Sequence, residues 1–401
     1  MVKNVKFYDD IEENGVIIDW QLVAKEYKKL KIPQDMFNPL SLPLSDKIGY
    51  YILLSERATG KTTNLLLLAM VLNKLYGCTC AYIRTKKNQI KASTVNSIFD
   101  TIVKFEGSRY IRTLTDGVYN SIKYHWAGAY YTEVDENAQT TKTAEKPFMR
   151  FLDVDDSFDY KSGLNMYRPN IIIYDEFISD SYAPSNFCYF LDLHNTIGRN
   201  NKGIYTFMLS NTIDLQTPWF REFGIYNDIK KMVSGEHRII TTDEGTNLYL
   251  ELIKSKTTTK RQTAAQRYYG FKNPQLNAIK GSSTPWAVKS YPHIKHFDDE
   301  QYITRDIHLR YFDELLQLDL MCSEELGGFY VNCHRCTSLY PSSVILVNDE
   351  INSPNEFFGK GRGKVFKLIW ELRDMYRWFY DDNETANIVK NFLADCNKKL
   401  W

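Results

Sequence analysis

Gly49-Tyr50-Tyr51-Ile52-Leu53-Leu54-Ser55-Glu56-Arg57-Ala58-Thr59-Gly60-Lys61-Thr62-Thr63 is the stretch on which the reading of this chain turns. Gly49 to Leu54 is a short apolar, aromatic-rich run, the pattern of a buried strand. A polar turn follows. The aliphatic run Leu65 to Leu72 then predicts a helix from about Lys61 to Leu75, stopping at Gly77. Strand, turn and helix in that order, with Gly60-Lys61-Thr62 at the junction, follow the phosphate-loop pattern of Gly, four residues, Gly-Lys-Ser/Thr. Ser55 stands where the pattern has its first Gly. The chemistry asks for backbone N–H groups curled around phosphate oxygens at a positive helix end. Residues Ser55, Glu56, Arg57, Ala58, Thr59, Gly60, Lys61, Thr62 and Thr63 are therefore candidate nucleotide contacts. Lys61 would reach the β- and γ-phosphates, and the Thr62 hydroxyl would ligate Mg²⁺.

About 110 residues further on, Ile171-Ile172-Ile173-Tyr174-Asp175-Glu176 is an apolar run ending in two acids. It is expected to be a parallel strand beside that of the loop. An Asp at its carboxyl end can hold Mg²⁺, and a Glu directly after it can polarise a water for attack on a γ-phosphate. Tyr205 to Leu209 reads as a further strand, running into Ser210-Asn211. Asn211 can both donate and accept, which suits a sensor of the γ-phosphate. Other expected elements are a helix near Trp20 to Leu30, a strand Thr79 to Arg84 and a helix near Thr94 to Phe105. A helix over Ser185 to Thr196 and a closing helix from Lys364 to Tyr380 complete the set. Strands alternating with helices predict a mostly parallel sheet covered on both faces. Four segments are expected: a leading one to residue 45, a nucleotide-hydrolysing domain over 46–230, a basic connector over 231–295, and a small α+β domain over 296–401.

Composition narrows the class. The chain has 401 residues, 50 Lys plus Arg against 49 Asp plus Glu, 43% hydrophobic residues and no low-complexity tract, which excludes collagen-like and disordered chains. An odd count of seven Cys and the absence of a leader pattern in the first twenty residues predict a soluble intracellular protein. The longest aliphatic run, Leu65 to Leu72, is far shorter than the roughly 20 residues a bilayer needs, so no membrane partner is expected. The near-zero net charge hides two acid-free basic stretches. Arg57 to Phe99 carries seven Lys or Arg, and Lys254 to Lys295 carries nine. Such stretches make local positive surfaces able to hold phosphates. Arg84, Lys86, Lys87 and Lys91, which follow the Thr79–Arg84 run, could contact a nucleic-acid backbone, and Lys86 and Lys87 could equally reach a nucleotide. Cys333-His334-Arg335-Cys336 lacks a suitably spaced second pair for a closed zinc site.

Glu-Arg-Ala-Thr-Gly-Lys-Thr over 56–62, Tyr-Asp-Glu-Phe-Ile over 174–178, and Arg199-Asn200 followed by Leu209-Ser210-Asn211 together resemble the DNA-packaging ATPases of phi-29-like, protein-primed podophages, relatives of the large terminase motors. The motifs cover about residues 48–225. The resemblance implies an additional-strand phosphate-loop NTPase followed by a degenerate ribonuclease-H-like domain. It implies that Arg57 acts from within the loop. It further implies that Arg199 is an arginine finger completing a neighbour's site. Ser55 and Ala58 depart from relatives that often carry Gly. Also implied are ATP and Mg²⁺ as cofactors and a homomeric ring of five subunits on the portal of an empty capsid shell. Double-stranded DNA passing through the ring, a structural packaging RNA as a further partner, and action in the host cytoplasm but not in the mature virion complete that picture. The alternatives are a terminase-like ATPase that also cleaves DNA through residues 296–401, and a non-catalytic nucleic-acid-binding module.

Overall fold

This computed structural model describes residues 17–55, 59–104, 107–137, 139–157, 169–178, 185–198, 203–211, 217–242, 244–254, 291–348 and 350–398. The chain divides into two units, one built chiefly from residues up to 272 and the other chiefly from 286–401. Glu56, Arg57, Ala58 and Arg199, together with nearly all of the basic stretch 254–295, lie outside the described residues.

In the first unit the strands are β1 (Ile48–Ser55), β2 (Thr79–Arg84), β3 (Ser121–His125), β4 (Gly128–Val134) and β5 (Thr140–Thr143), then β6 (Met149–Asp153), β7 (Pro169–Asp175), β8 (Tyr205–Asn211), β9 (His237–Thr241) and β10 (Asn247–Ile253). They form one sheet in the order β3-β4-β6-β2-β7-β8-β1-β10-β9, with β5 beside β4. From β6 to β10 along that order every neighbouring pair is parallel. The pairings outside this run are antiparallel. The Asp175 strand is not the immediate neighbour of β1, as expected from the sequence, because β8 lies between them. The hairpin β9–β10 extends the sheet on the far side of β1. Residues 237–253, read from composition as part of a connector, therefore belong to this sheet.

A parallel sheet must be covered on both faces, and here it is. On one face lies α2 (Lys61–Tyr76), whose Leu65 to Leu72 are all essentially inaccessible. It packs with Leu53, Ile171, Ile173 and Phe207, and with Val23 and Tyr27 of α1 (Trp20–Lys28). Further along the chain are α3 (Ala92–Lys104), α4 (Arg109–Leu114) and α5 (Ser185–Gly198). On the opposite face Phe190 of α5 meets Tyr174 and Tyr50, with ring centroids 5.1 and 6.3 Å apart. Helix α2 ends where Gly77 adopts a left-handed φ of 69° and returns its N–H to the Asn73 carbonyl, the turn a Cβ would strain. Among the described residues no helix is long and apolar enough to cross a membrane.

The second unit is a smaller α+β assembly. Its strands are β11 (Gln301–Tyr311), β12 (Glu314–Ser323), β13 (Gly328–Arg335), β14 (Val344–Val347), β15 (Glu356–Phe358) and β16 (Trp378–Tyr380), in the order β15-β14-β11-β12-β13-β16. The first three form an antiparallel meander, and the remaining pairings are parallel. Alternate residues Ile307, Leu309, Leu316, Leu318, Val331 and Cys333 share a core with α6 (Lys364–Asp374) and α7 (Asn383–Lys398). The expected closing helix thus ends six residues early. Tyr376 takes a left-handed φ of 59°, and Trp378–Tyr380 pairs with β13 instead. No group of three His, Cys, Asp or Glu among the described residues is placed to share a metal ion.

Leu68 tests the central helix. Replacing Leu68 by Ala leaves a cavity between helix and sheet and is expected to cost about 2–5 kcal/mol in denaturant unfolding. A loss below about 1 kcal/mol would mean that α2 does not fill the core as described.

Candidate active site

The sheet order brings the separated motifs together at one end of the first unit. Register places Ser55 opposite Asn211 and Asp175 opposite Leu209, so the carboxyl ends of β1, β8 and β7 lie level. Asp175 continues the face of Ile171 and Ile173, which α2 covers, and thereby meets the first turn of that helix. The Thr62 hydroxyl donates to Asp175 Oδ2 at 3.1 Å. Gly60 caps α2 with φ 81°, a left-handed conformation that favours glycine. A cavity of about 330 Å³ opens here, lined by Thr59 to Thr63, Asp175, Glu176, Ser210 and Asn211, with Met36 and Thr101 at its wall.

Lys61 lies at the heart of this cavity and is only 5% exposed. Its ammonium donates to Ser55 Oγ, to the Ser210 carbonyl at 3.2 Å and to Asn211 Oδ1 at 3.5 Å. Ser55, in place of the expected glycine, therefore supplies a hydroxyl that anchors the lysine. That hydroxyl also hydrogen-bonds with Thr59 at 2.9 Å. Burial drives the Lys61 pKa from an ordinary 10.5 down to about 8, against the opposing pull of Asp175 and Glu176. A desolvated cation in a polar cavity is an arrangement that an anion would complete.

Asp175 and Glu176 are held by two β2 residues on one side of the strand. The Tyr82 hydroxyl donates to Asp175 Oδ2 at 2.6 Å. Arg84 donates to Glu176 Oε2 at 2.6 Å and lies 3.3 Å from Asp175 Oδ2. Burial acts to lower the Arg84 pKa, but Tyr82 and the two acids outweigh it and raise it. Burial first, then Asp175, pushes the Tyr82 phenol far up, so it stays a donor. Glu176 itself takes a left-handed φ of 54°, a strained conformation for a non-glycine residue at the end of a strand.

These positions correct one expectation and extend another. Arg84, expected on a DNA-facing surface, turns its guanidinium onto the two acids. Lys86, Lys87 and Lys91 are exposed, and Lys87 pairs with Asp156. Lys61, Thr62, Asp175, Glu176 and Asn211 all line one cavity. Tyr82 was not anticipated, although its spacing of two from Arg84 on a parallel strand was a readable sign. Nor was the strap at Met36–Phe37: Met36 packs on Gly60, and the Phe37 N–H donates to the Thr59 carbonyl at 2.9 Å. Thr62 and Asp175 offer hard oxygen donors side by side, the donor chemistry of Mg²⁺. The cavity and its buried ammonium likewise fit a phosphate chain.

The sheet with β8 interposed, the phosphate loop and the acid pair define the additional-strand class of phosphate-loop NTPase folds. More particularly, the chain is similar in fold to the viral genome packaging motor assembly of bacteriophage phi-29, with 15% identity, a TM-score of 0.52, and 90% of this chain and 99% of that one covered. The phi-28 DNA packaging motor aligns at 17% identity over 92% and 99% of the two chains with a TM-score of 0.49. A Thermus phage large terminase ATPase domain aligns at 13% identity over 63% and 94%, with a TM-score of 0.34. No family model matches the sequence, and no curated protein does.

Lys61→Met separates the charge from the packing. The folded pKa lies below the unfolded one, so the unfolded chain binds more protons between about pH 8 and 10.5. Wild-type stability therefore rises through that window, and the cost of the buried charge is fully present below it. Without ligand, the stability of the Met variant relative to wild type should fall by about 3 kcal/mol between pH 7 and pH 10.5. A difference independent of pH would refute a desolvated ammonium.

Proposed function

We propose that this chain is an ATPase that drives double-stranded DNA into a preformed viral capsid, acting as one subunit of a homomeric ring. The carrying observation is the single cavity in which a buried lysine, the Thr62–Asp175 pair and Glu176 converge. The shared fold with the phi-29 packaging motor assembly supports the setting. In this reading Lys61 and the loop N–H groups bind the phosphate chain, with Arg57 assisting from the loop. Thr62 and Asp175 hold Mg²⁺, which supplies charge neutralisation on the phosphate oxygens. Glu176 accepts a proton from the attacking water, and Asn211 bonds the γ-phosphate. Arg199 stabilises transition-state charge in a neighbouring subunit.

Arg84 adds a condition. Its guanidinium holds Glu176 Oε2 at 2.6 Å, which leaves Oε1 as the carboxylate oxygen that takes the proton from water. Lys86, Lys87 and Lys91 keep their assignment as DNA-backbone contacts, whose charge would act on phosphates and not on bases. Five subunits, a portal, a packaging RNA and action on the procapsid in the host cytoplasm belong to the same proposal. The domains of that reading are the leading segment to residue 45, the hydrolytic domain from 46, the basic connector that ends at 295 and a vestigial nuclease-like domain over 296–401. The β9–β10 hairpin moves from the connector to the hydrolytic domain.

Steady-state ATP hydrolysis tests this assignment. Glu176→Gln should lower kcat by at least about 100-fold while MgATP still binds; wild-type turnover would remove Glu176 as the base. In mixing experiments, Arg199→Ala subunits should depress wild-type activity below the proportional sum. A strictly proportional loss would argue against a role in a neighbour's site.

A further inference from the structure

We infer that Asn64 is a positioning residue that, through the Met36–Phe37 strap, aims a phosphate-binding N–H of the loop. The inference rests on the phosphate-binding reading above. Four groups close a circuit. The Asn64 side-chain amide donates to the Phe37 carbonyl, and the Phe37 N–H donates to the Thr59 carbonyl at 2.9 Å. Thr59 is joined to Gly60, whose own carbonyl accepts from the Asn64 N–H at 3.0 Å as the first bond of α2. No described peptide bond is cis, so the Thr59 carbonyl and the Gly60 N–H point in opposite directions. With the carbonyl taken by the strap, the Gly60 N–H is held facing away from Phe37, and Gly60 itself lines the cavity with Lys61 and Thr62.

Two observations separate this role from plain packing. Asn64 is fully buried, yet its Oδ1 has no hydrogen-bond partner among the described residues. A buried oxygen left unpaired is destabilising, so an amide there is a poor choice for stability alone. Second, Met36 packs against Gly60 from the strap side: a Cβ on Gly60 would lie 3.3 Å from Met36 Cβ, so strap and loop are already in close contact. The strap thus does from outside part of what the absent first glycine, replaced by Ser55, would leave to the loop itself. The leading segment becomes a component of the phosphate site, and the orientation of one peptide plane depends on a side chain in the helix that follows.

The test is equilibrium binding of Mg-ATPγS and of inorganic pyrophosphate to the full chain, beside thermal melting. Asn64→Leu removes the donor. Asn64→Asp keeps the shape, sets an acceptor against the Phe37 carbonyl, and serves if the Leu variant does not fold. Both should weaken the two ligands about tenfold, the loss of one well-placed hydrogen bond. Tyr27→Phe removes a neighbouring buried bond, the Tyr27 hydroxyl to the Asn64 carbonyl, without touching the circuit. It should bind both ligands as wild type does. Wild-type affinity in a folded Asn64 variant, or equal weakening by Tyr27→Phe, would overturn the inference. If the wild-type chain binds neither ligand, or Lys61→Ala binds both unchanged, the phosphate-site reading itself fails, and the inference with it.

Discussion

Everything at the candidate site depends on keeping one ammonium out of water. Lys61 donates to Ser55, Ser210 and Asn211, and among the described residues it forms no ion pair with either acid. A charge in that position is costly unless something negative arrives. The neighbouring elements are arranged around this deficit. Helix α2 points its first turn, whose Gly60 cap offers no side-chain acceptor, into the same cavity, and β7 delivers Asp175 to Thr62. Arg84 meanwhile supplies the acids with a cation of their own, so that they are not drawn onto the lysine. The cavity is polarised before any ligand enters, a positive floor facing a negative wall already neutralised from behind.

That arrangement explains why the strongest parts of the fold were readable. A run such as Leu65 to Leu72 has nowhere to go but the interior, and a strand such as Ile171 to Tyr174 must be covered on both faces. The loop and acid pair follow because each sits where an apolar run stops. Arg84 was misread for a physical reason. Its neighbours Lys86, Lys87 and Lys91 are solvated cations, and nothing in a local charge count separates the one that turns inward. The separating fact is the register of β2 against β7, a long-range property. The strap at Met36–Phe37 was illegible on similar grounds, because main-chain hydrogen bonds between segments leave no trace in side-chain pattern.

Boundaries failed where no Gly or Pro marked them. Helix α6 stops at Asp374 and the chain turns through Met375 and Tyr376, both exposed, before Trp378 enters the second sheet. An aromatic-rich sequence continues the helical pattern through that turn, and only the pairing of β16 with β13 overrides it. In the second unit a helix-covered mixed sheet encloses acids with structural partners. Asp319, for instance, is buried between Gln317 and His334. Its bond is the main reason the His334 pKa is raised.

The most direct measurement is a structure of the chain with Mg²⁺ and a non-hydrolysable ATP analogue. The β- and γ-phosphates should lie against Lys61 and the Gly60 N–H, with Mg²⁺ at Thr62 and Asp175. A nucleotide bound elsewhere on the chain, with the Lys61 bonds to Ser55 and Ser210 undisturbed, would contradict it.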